Sequence, residues 1–548
     1  MAPRGYANED ITSIIDTFSI INQNGILSTD SEDNLETEQD SEPEAVINDI
    51  ELSSSINNGV KCTAMNIDST IEKKGNETNT NTGDLSGFFE KLCFNYLDFT
   101  DKNPTTYHVI SYFTQLLTSS RFKYIPESSF FEHTKKGGLF FTKRDDQSMI
   151  AFVVGGKWVP ENGIAGIGCH VDALTLKLKP CSLKTQVSDY ELLGVAPYSG
   201  ALNHLWLDRD LGIAGSILVR DSVSGKIQRR IITSGKHAVC RIPSLAPHFG
   251  IGASPPYNKE TQMIPVLGYG TVEPLATDDE KTSALYGKHS LGLLRYIAKL
   301  ADVKVSQMVE ADLDLYDVQP ATRGGLSDEF IFAPRIDDRL CAFSAIHGLL
   351  KHSMVGSLEE FDGFLIVLLA NNEEIGSATR TGAKGKLLNS VVERVLVSRK
   401  YKSSDLALVF ANSVILSADV THALNPNFTE AYLERHSPVP NKGLVLKLDA
   451  SGHVVTDLTG QLLMNLIAQK NNLKLQEFHI RNDRPSGGTI GPMLAVDTGS
   501  RVIDVGLAQL SMHSIRASTG FKEPGIGVKT FEAFFRCWRA ALSEIEYD

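Results

Sequence analysis

One short apolar run stands out in the hydrophobic pattern of this chain. Residues 363–370 read Gly-Phe-Leu-Ile-Val-Leu-Leu-Ala and are followed by two asparagines and then by Glu373 and Glu374. A short, bounded run of this kind is typical of a fully buried strand. Two acids beyond it need a compensating charge, and ligands bind at such strand ends in open α/β sheets. On an extended chain the two side chains would point in opposite directions and could act separately. The alternative is a solvated pair of acids that begins the next helix.

Around this run, strand-like and helical patterns alternate over most of the chain. Helical spacing predicts helices near residues 88–99, 107–117, 289–300, 338–352, 380–395, 456–469 and 527–545. Short β-type runs predict strands at 139–142, 149–154, 164–169, 216–220, 227–233, 444–448 and 502–505. The alternation predicts an α/β fold with a mixed, mostly parallel sheet sandwiched by helices. Residues 83–181 and 327–548 would form this domain. The stretch 182–326, richer in Gly, Pro and β-type runs, would be an inserted β-rich domain.

The first 82 residues have a different pattern. Isoleucines and a phenylalanine recur at helical spacing within residues 8–22, which predicts one short amphipathic helix. Residues 29–45 then contain eight acids and no base, and the sequence stays polar to residue 82, as in a disordered linker. A lone amphipathic helix is marginally stable, so residues 8–22 are either a docking segment or a weakly helical tail.

Composition narrows the class of protein. The net charge of −13 lies almost entirely in residues 1–60, which carry −12, so the remainder is nearly neutral and offers no surface for nucleic acid. No apolar run approaches the length of a transmembrane helix, and the N-terminus lacks the pattern of a secretory signal. The seven cysteines are scattered without a CxxC pair, which argues against a disulfide framework and against a cysteine zinc module.

Polar residues with metal-binding chemistry follow several of the predicted strands. They are His170 and Asp172, Asp337, Glu373 and Glu374, and Asp419, with His513 just beyond a fifth strand. Because the carboxyl ends of parallel strands lie along one edge, these side chains can converge. Imidazoles and carboxylates without cysteine suit a hydrolytic metal pair better than structural zinc. Singly, each has an ordinary explanation: Asp337 or Asp338 could cap a helix, and a lone His is usually packed in the core.

Five motifs along the chain resemble, in order and spacing, the aspartyl aminopeptidase family of dinuclear zinc aminopeptidases. They are Gly-Cys-His-Val-Asp-Ala-Leu-Thr at 168–175, Ala-Pro-Arg-Ile-Asp-Asp at 333–338, Asn-Glu-Glu-Ile-Gly-Ser at 372–377, Ser-Ala-Asp at 417–419 and Met-His-Ser-Ile-Arg at 512–516. The similarity runs from about residue 85 to the C-terminus. Residues 102–108 and 205–213 are especially similar to the vacuolar members found in fungi.

The resemblance implies a zinc-peptidase type of fold, two Zn²⁺ ions per subunit and a role for each matching residue. His170, Asp337 and Asp419 would hold one ion. Asp337, as a bridge, would hold the second with Glu374 and His513. Glu373 would be the general base, and Asp172 would fix the ring of His170. In the inserted domain, His248 matches a histidine that reaches the active site of a neighbouring subunit.

The resemblance also implies substrates, partners and a location. The expected activity is release of single N-terminal residues from peptides. Overall similarity favours neutral residues such as Leu, whereas Lys447 matches a base found in members that prefer Asp or Glu. A homododecamer assembled through residues 182–326 is expected. Delivery to the vacuole by a non-secretory route would use residues 8–22 to bind an autophagy-type receptor, and the alternative location is the cytoplasm.

Two further interpretations of the whole chain compete with this one. A related dinuclear hydrolase, such as a carboxypeptidase or an N-acyl amidohydrolase, would use the same ligand types but recognise another part of its substrate. An inactive, self-assembling scaffold or cargo protein would retain the fold without the reaction. The complete set of ligand residues together with Glu373 argues against the scaffold, which has no chemical need of them.

Overall fold

The computed structural model describes residues 82–250, 255–270, 274–353 and 356–546. The amphipathic helix predicted at 8–22 and the acidic linker that follows it lie outside these residues. The helices are α1 Thr82–Lys102, α2 Thr106–Ser119, α3 Leu291–Ala301, α4 Ile336–Ser353, α5 Leu387–Ser398, α6 Leu406–Ala411, α7 Leu458–Lys470, α8 Gly491–Thr498 and α9 Glu523–Leu542. Within the described ranges, no helix has both the length and the apolar character that a membrane crossing requires.

The strands form three sheets. In chain order they are β1 Lys123–Tyr124, β2 Gly138–Arg144, β3 Ser148–Val154, β4 Ala165–His170, β5 Thr175–Leu183, β6 Tyr190–Tyr198, β7 Leu211–Arg220, β8 Ile227–Thr233, β9 Val266–Tyr269, β10 Met308–Asp317, β11 Thr322–Gly324, β12 Phe330–Ala333, β13 Phe364–Ala370, β14 Val414–Ala418, β15 Thr421–His422, β16 Leu444–Leu448, β17 Leu475–His479, β18 Arg501–Gly506, β19 Ala508–Leu510 and β20 Ala517–Gly520.

The largest sheet has nine strands in the order β1-β2-β3-β13-β4-β14-β18-β16-β17. Five neighbouring pairs are parallel, namely β1–β2, β13–β4, β4–β14, β14–β18 and β16–β17. The other three, β2–β3, β3–β13 and β16–β18, are antiparallel. The sheet is therefore mixed and mostly parallel, and helices cover both of its faces. This confirms the predicted fold class.

The surroundings of strand β13 explain why apolar and polar residues do not alternate in the run at 363–370. Every residue from Phe364 to Ala370 is buried. Leu365, Val367 and Leu369 pack into a core with α1, α2, α4 and α9, while Ile366 and Leu368 pack into a second core with α5, α6 and α8. Because successive side chains point to opposite faces and both faces are covered, each position must be apolar.

The other two sheets are smaller. Six strands in the order β8-β7-β10-β5-β6-β9 enclose a separate core with α3, and five strands in the order β11-β12-β20-β19-β15 lie beside the large sheet. The six-stranded sheet takes its strands from residues 175–317, which overlap the insertion predicted at 182–326. The division of the chain into domains stays a prediction.

One predicted helix begins later than expected. The pattern favoured a helix over residues 380–395, but α5 starts at Leu387. A single 3₁₀ turn occupies Ala383–Gly385, and Lys386 then adopts a left-handed backbone with φ 59°. A residue in this conformation cannot continue a right-handed helix, so the regular turns begin only beyond it.

Candidate metal centre

Three neighbouring parallel strands end at one edge of the large sheet. His170 is the last residue of β4, Asp419 directly follows β14, and Glu373 and Glu374 lie just beyond β13. The register pairs Ala370 of β13 with His170. The predicted convergence of these strand ends is therefore present. The acids at 373 and 374 differ from the prediction in one respect: Glu373–Ile375 forms a 3₁₀ turn instead of extended chain.

The remaining two candidates reach the same edge from the five-stranded sheet. Asp337 follows β12, which pairs antiparallel with β20, and His513 follows β19 in a turn with φ 63°. The expectation that Asp337 would end a strand of the parallel sheet is wrong. The sequence shows a strand before Asp337 but does not show which sheet that strand joins.

Asp337 lies between the two histidines. Its Oδ1 is 3.1 Å from Nε2 of His170, and its Oδ2 is 3.4 Å from Nε2 of His513. Asp419 Oδ1 lies 3.8 Å from the His170 nitrogen, and Glu374 Oε2 lies 3.8 Å from the His513 nitrogen. Two groups of three therefore share Asp337, and within each group the candidate ligand atoms lie within 4.8 Å of one another.

The carboxylates of this cluster are crowded and mostly buried, with 5–16% of each side chain exposed. Burial, with a contribution from Asp337, raises the pKa of Glu374 to about 9. Burial also raises the pKa of Glu373 to about 7, and the neighbouring acids Asp419 and Asp172 add to the shift. Glu374 Oε1 is buried without a hydrogen-bond partner among the described residues. Unpaired acids in this setting fit a bound cation, and imidazole nitrogens with carboxylate oxygens are the ligands of hydrolytic zinc pairs.

Asp172 contacts its predicted partner His170 and, in addition, the backbone of Glu373 and Glu374. Its Oδ1 lies 3.4 Å from Nδ1 of the His170 ring. The same carboxylate accepts the backbone N–H groups of Glu373 at 3.1 Å and Glu374 at 3.2 Å. Burial would raise the pKa of Asp172, but the hydrogen bonds from His170, Tyr198 and Glu373 outweigh it and hold the pKa below its ordinary value. The carboxylate thus orients the turn that carries the two glutamates, whereas the His170 ring contacts both this carboxylate and, at 3.2 Å, the main-chain carbonyl of Asp172.

Asp338 is a residue whose place in the site the sequence did not indicate. It is fully buried, and its carboxylate accepts the backbone N–H of His170 at 3.3 Å and that of Val420 at 3.2 Å. It therefore joins the ends of β4 and β14, which carry two of the candidate ligands. The pair of adjacent aspartates at 337 and 338 was the only signal available, and it equally fitted a helix cap.

Lys447 on β16 points at one of the candidate ligands. The side chain is buried, and its Nζ lies 3.7 Å from Oδ2 of Asp419. Burial would lower the pKa of Lys447, but the carboxylates of Asp419 and Asp504 outweigh it and raise the pKa above its ordinary value. The ammonium is therefore charged and faces acids of the protein itself.

His248 is exposed in a 3₁₀ turn, Pro247–Phe249, and its ring stacks on Phe249 with centroids 4.8 Å apart. Over the described ranges, no hydrogen bond, ion pair or ring contact joins this ring to the cluster around Asp337. A role for His248 in the active site of a neighbouring subunit stays a prediction.

Comparison with known proteins gives a consistent result. The family model described as Aminopeptidase I zinc metalloprotease (M18) matches residues 99–535. Vacuolar aminopeptidase 1 of Saccharomyces cerevisiae is 51% identical over 479 residues, which cover 86% of this chain and 93% of that protein. The aspartyl aminopeptidase of Aspergillus oryzae is 34% identical over 488 residues, with 83% and 97% covered. The structure of the S. cerevisiae mApe1 dodecamer superposes with a TM-score of 0.77 at 50% identity and covers 83% of this chain and 99% of that one.

Proposed function

The chain belongs to the M18 family of aminopeptidase I zinc metalloproteases and is a zinc aminopeptidase, and from this premise we propose how its site works and what it cleaves. The substrate is a peptide with a free α-amine, from which one residue is released at a time. Two zinc ions per subunit would share Asp337 as a ligand. The observation that carries this proposal is the position of Asp337, with one carboxylate oxygen toward His170 and the other toward His513.

Each zinc has three side chains of this chain as ligands in the proposal. His170, Asp337 and Asp419 would hold the first, and Asp337, Glu374 and His513 would hold the second. The two groups of ligand atoms and the unpaired oxygen of Glu374 support this assignment. When bound, such a pair acidifies water and polarises the carbonyl of the scissile bond.

Glu373 acts as the general base. Its Oε2 lies 4.0 Å from Nε2 of His170, so the carboxylate faces the cluster without being a member of either group of ligands. In this position the carboxylate can take a proton from the attacking water and later return it to the leaving amine. Asp172 holds the N–H groups of the turn and thereby sets where this carboxylate lies.

The preferred first residue is neutral and aliphatic, such as Leu. Similarity supports this preference, since the 51% identical relative is a vacuolar aminopeptidase whereas the named aspartyl aminopeptidase is 34% identical. The carboxylates of Asp419 and Asp504 already compensate the charge of Lys447, so its attraction for an acidic substrate side chain is weaker. The competing proposal is an enzyme specific for N-terminal Asp or Glu that uses Lys447 for recognition.

Assembly and location follow the relatives. We propose a homododecamer assembled through the inserted domain at 182–326, by similarity to the S. cerevisiae mApe1 dodecamer, with His248 reaching a neighbouring subunit. Vacuolar residence is supported by the vacuolar relative. Delivery by a non-secretory route would use residues 8–22 to bind an autophagy-type receptor, and deletion of residues 1–24 with unchanged delivery would refute this part.

A panel of reporter substrates tests the activity. The purified zinc-loaded enzyme should cleave a Leu reporter faster than Glu or Asp reporters, and it should not cleave the Leu reporter whose amine is acetylated. Glu373→Gln should retain zinc and lose nearly all turnover, while Glu359→Gln at an exposed position should match the wild type. Cleavage of the acetylated substrate would indicate a different hydrolase, and an inert wild type would indicate a scaffold.

A further inference from the structure

The six-stranded sheet supplies a hydroxyl group to the active-site edge of the large sheet. Tyr198 is the last residue of β6, and its side chain is 8% exposed. Its Oη donates a hydrogen bond to Oδ2 of Asp172 at 2.7 Å. Neither the sequence pattern nor the family comparison assigns any role to this tyrosine.

The hydroxyl of Tyr198 is itself held in place. Asn372 Nδ2 donates to Tyr198 Oη at 2.9 Å, so one lone pair of that oxygen is engaged and its proton is directed at Asp172. The amide of Asn372 is fixed in turn, because its Oδ1 accepts the hydroxyls of Thr379 at 2.9 Å and Thr381 at 3.1 Å. The orientation of the Tyr198 O–H is therefore determined by a chain of buried and partly buried hydrogen bonds.

Asp172 links the Tyr198 hydroxyl to the backbone of Glu373, the proposed general base. Its two carboxylate oxygens each accept one backbone N–H of the turn, Oδ1 from Glu373 and Oδ2 from Glu374. The carboxylate can make both bonds only when its plane faces the two N–H groups. The Tyr198 hydroxyl on Oδ2 favours that orientation, since hydrogen bonds to an ionised acceptor are short and directional.

We propose that Tyr198 is a positioning residue for peptide hydrolysis: its hydroxyl fixes the Asp172 carboxylate and thereby the place of the Glu373 carboxylate. This inference rests on the proposed function, in which Glu373 is the base. A cavity of about 180 Å³ adjoins Tyr198 and Asp172 and gives the freed carboxylate room to rotate if the hydroxyl is removed. Small displacements of a catalytic group lower the rate steeply, so a loose turn should slow the chemical step more than substrate binding.

A matched pair of Tyr→Phe substitutions tests the proposal. Tyr198→Phe removes the hydroxyl and keeps the ring. Tyr316→Phe is the control, because Tyr316 lies on a strand of the same sheet, lines the same cavity and is 7% exposed, but donates its hydroxyl to the carbonyl of Gly235 at 2.7 Å. For both variants and the wild type, kcat and KM on a Leu reporter, zinc content, melting temperature and a crystal structure should be measured.

Tyr198→Phe should lower kcat about tenfold or more, as loss of a partner behind an active-site ligand commonly does, with KM and zinc content unchanged. Its crystal structure should show the Asp172 carboxylate rotated away from the N–H of Glu373. Tyr316→Phe should keep the wild-type kcat. Equal kcat values for Tyr198→Phe and wild type, or a kcat loss explained by lost zinc, would overturn the proposal.

If the proposed function itself is wrong, these measurements should give a different result. In that case the wild type itself would be inert on the Leu reporter, or Glu373→Gln would remain active. A wild type that is active, with an inactive Glu373→Gln and a fully active Tyr198→Phe, would refute only the role of Tyr198.

Discussion

The Nζ of Lys447 lies 3.7 Å from Oδ2 of Asp419. Both side chains are buried, and Gly506 on the neighbouring strand leaves space for the lysine stem, since a Cβ there would lie 3.0 Å from Lys447 Cε. The lysine thus contacts a proposed zinc ligand directly. Replacement of Lys447 should therefore slow the cleavage of every substrate and not only of acidic ones.

We expect Lys447→Met to lower kcat/KM for Leu, Glu and Asp reporters by a similar factor of about ten, because the change disturbs Asp419 in all cases. Lys442→Met, at an exposed position just before the same strand, is the control and should leave all three values unchanged. A loss confined to the Glu and Asp reporters would show that Lys447 recognises acidic side chains.

His513 should hold one of the two zinc ions. We expect His513→Ala to reduce the zinc content from about two ions per subunit to about one, because one ligand group loses its nitrogen while the other stays complete. Metal analysis of the purified protein measures this. His453→Ala is a matched control, since His453 is also about half exposed and also lies beside a carboxylate, that of Asp449. Loss of both ions from His513→Ala, or of none, would contradict the assignment.

Asp338 should contribute both to stability and to zinc affinity. Asp338→Asn leaves one acceptor oxygen for the two backbone N–H groups of His170 and Val420, and a buried donor without its acceptor costs about 1–3 kcal/mol. Denaturant unfolding should show a loss in this range together with weaker zinc binding in a chelator competition. Asp278→Asn, which alters only a surface ion pair with Lys281, should change neither quantity. A fully stable Asp338→Asn would mean that the two N–H groups do not depend on this carboxylate.

Glu523 at the start of α9 should make stability depend on pH. Burial raises its pKa from 4.5 to about 8, although Oε1 accepts the N–H of Asn441 at 2.6 Å. Between these values the folded chain keeps a proton that the unfolded chain releases, so the contribution of Glu523 to stability is complete below pH 4.5 and is lost as pH rises toward 8. The loss is at most about 1.4 kcal/mol per pH unit.

Glu523→Gln imitates the protonated side chain and should remove this dependence. The melting temperature of the wild type should fall more between about pH 5 and pH 9 than that of Glu523→Gln, whereas exposed Glu359→Gln should follow the wild type. Parallel curves for all three proteins would show that Glu523 does not titrate in this window.

The sequence predicted the parts of the molecule that depend on local pattern. The short, bounded run at 364–370 was typical of a fully buried strand, and it forms one. The five motifs indicated the family, which the comparisons confirm. The aminopeptidase activity followed from the same motifs. The positions of His170, Asp419 and the two glutamates followed from the rule that the ends of parallel strands share an edge.

Relations between separate sheets could not be predicted in this way. Tyr198 lies in the six-stranded sheet, and nothing in the spacing from Asp172 indicates that their side chains meet.

Strand β10 was not predicted because acids interrupt its apolar pattern. Among them are Asp312 and Asp314, whose charges are compensated by Lys177 on the neighbouring strand. The inward orientation of Asp338 and the pairing of Lys447 with Asp419 likewise depend on packing that sequence patterns do not encode.

The proposed mechanism depends on two zinc ions that would share Asp337 as a ligand. Anomalous diffraction at the zinc absorption edge, from crystals of the zinc-loaded enzyme, locates such ions without reference to activity. We expect two peaks per subunit about 3.5–4 Å apart, one beside His170 and Asp419 and the other beside His513 and Glu374, with an oxygen of Asp337 at each. A single peak, or two peaks that Asp337 does not contact, would contradict this arrangement.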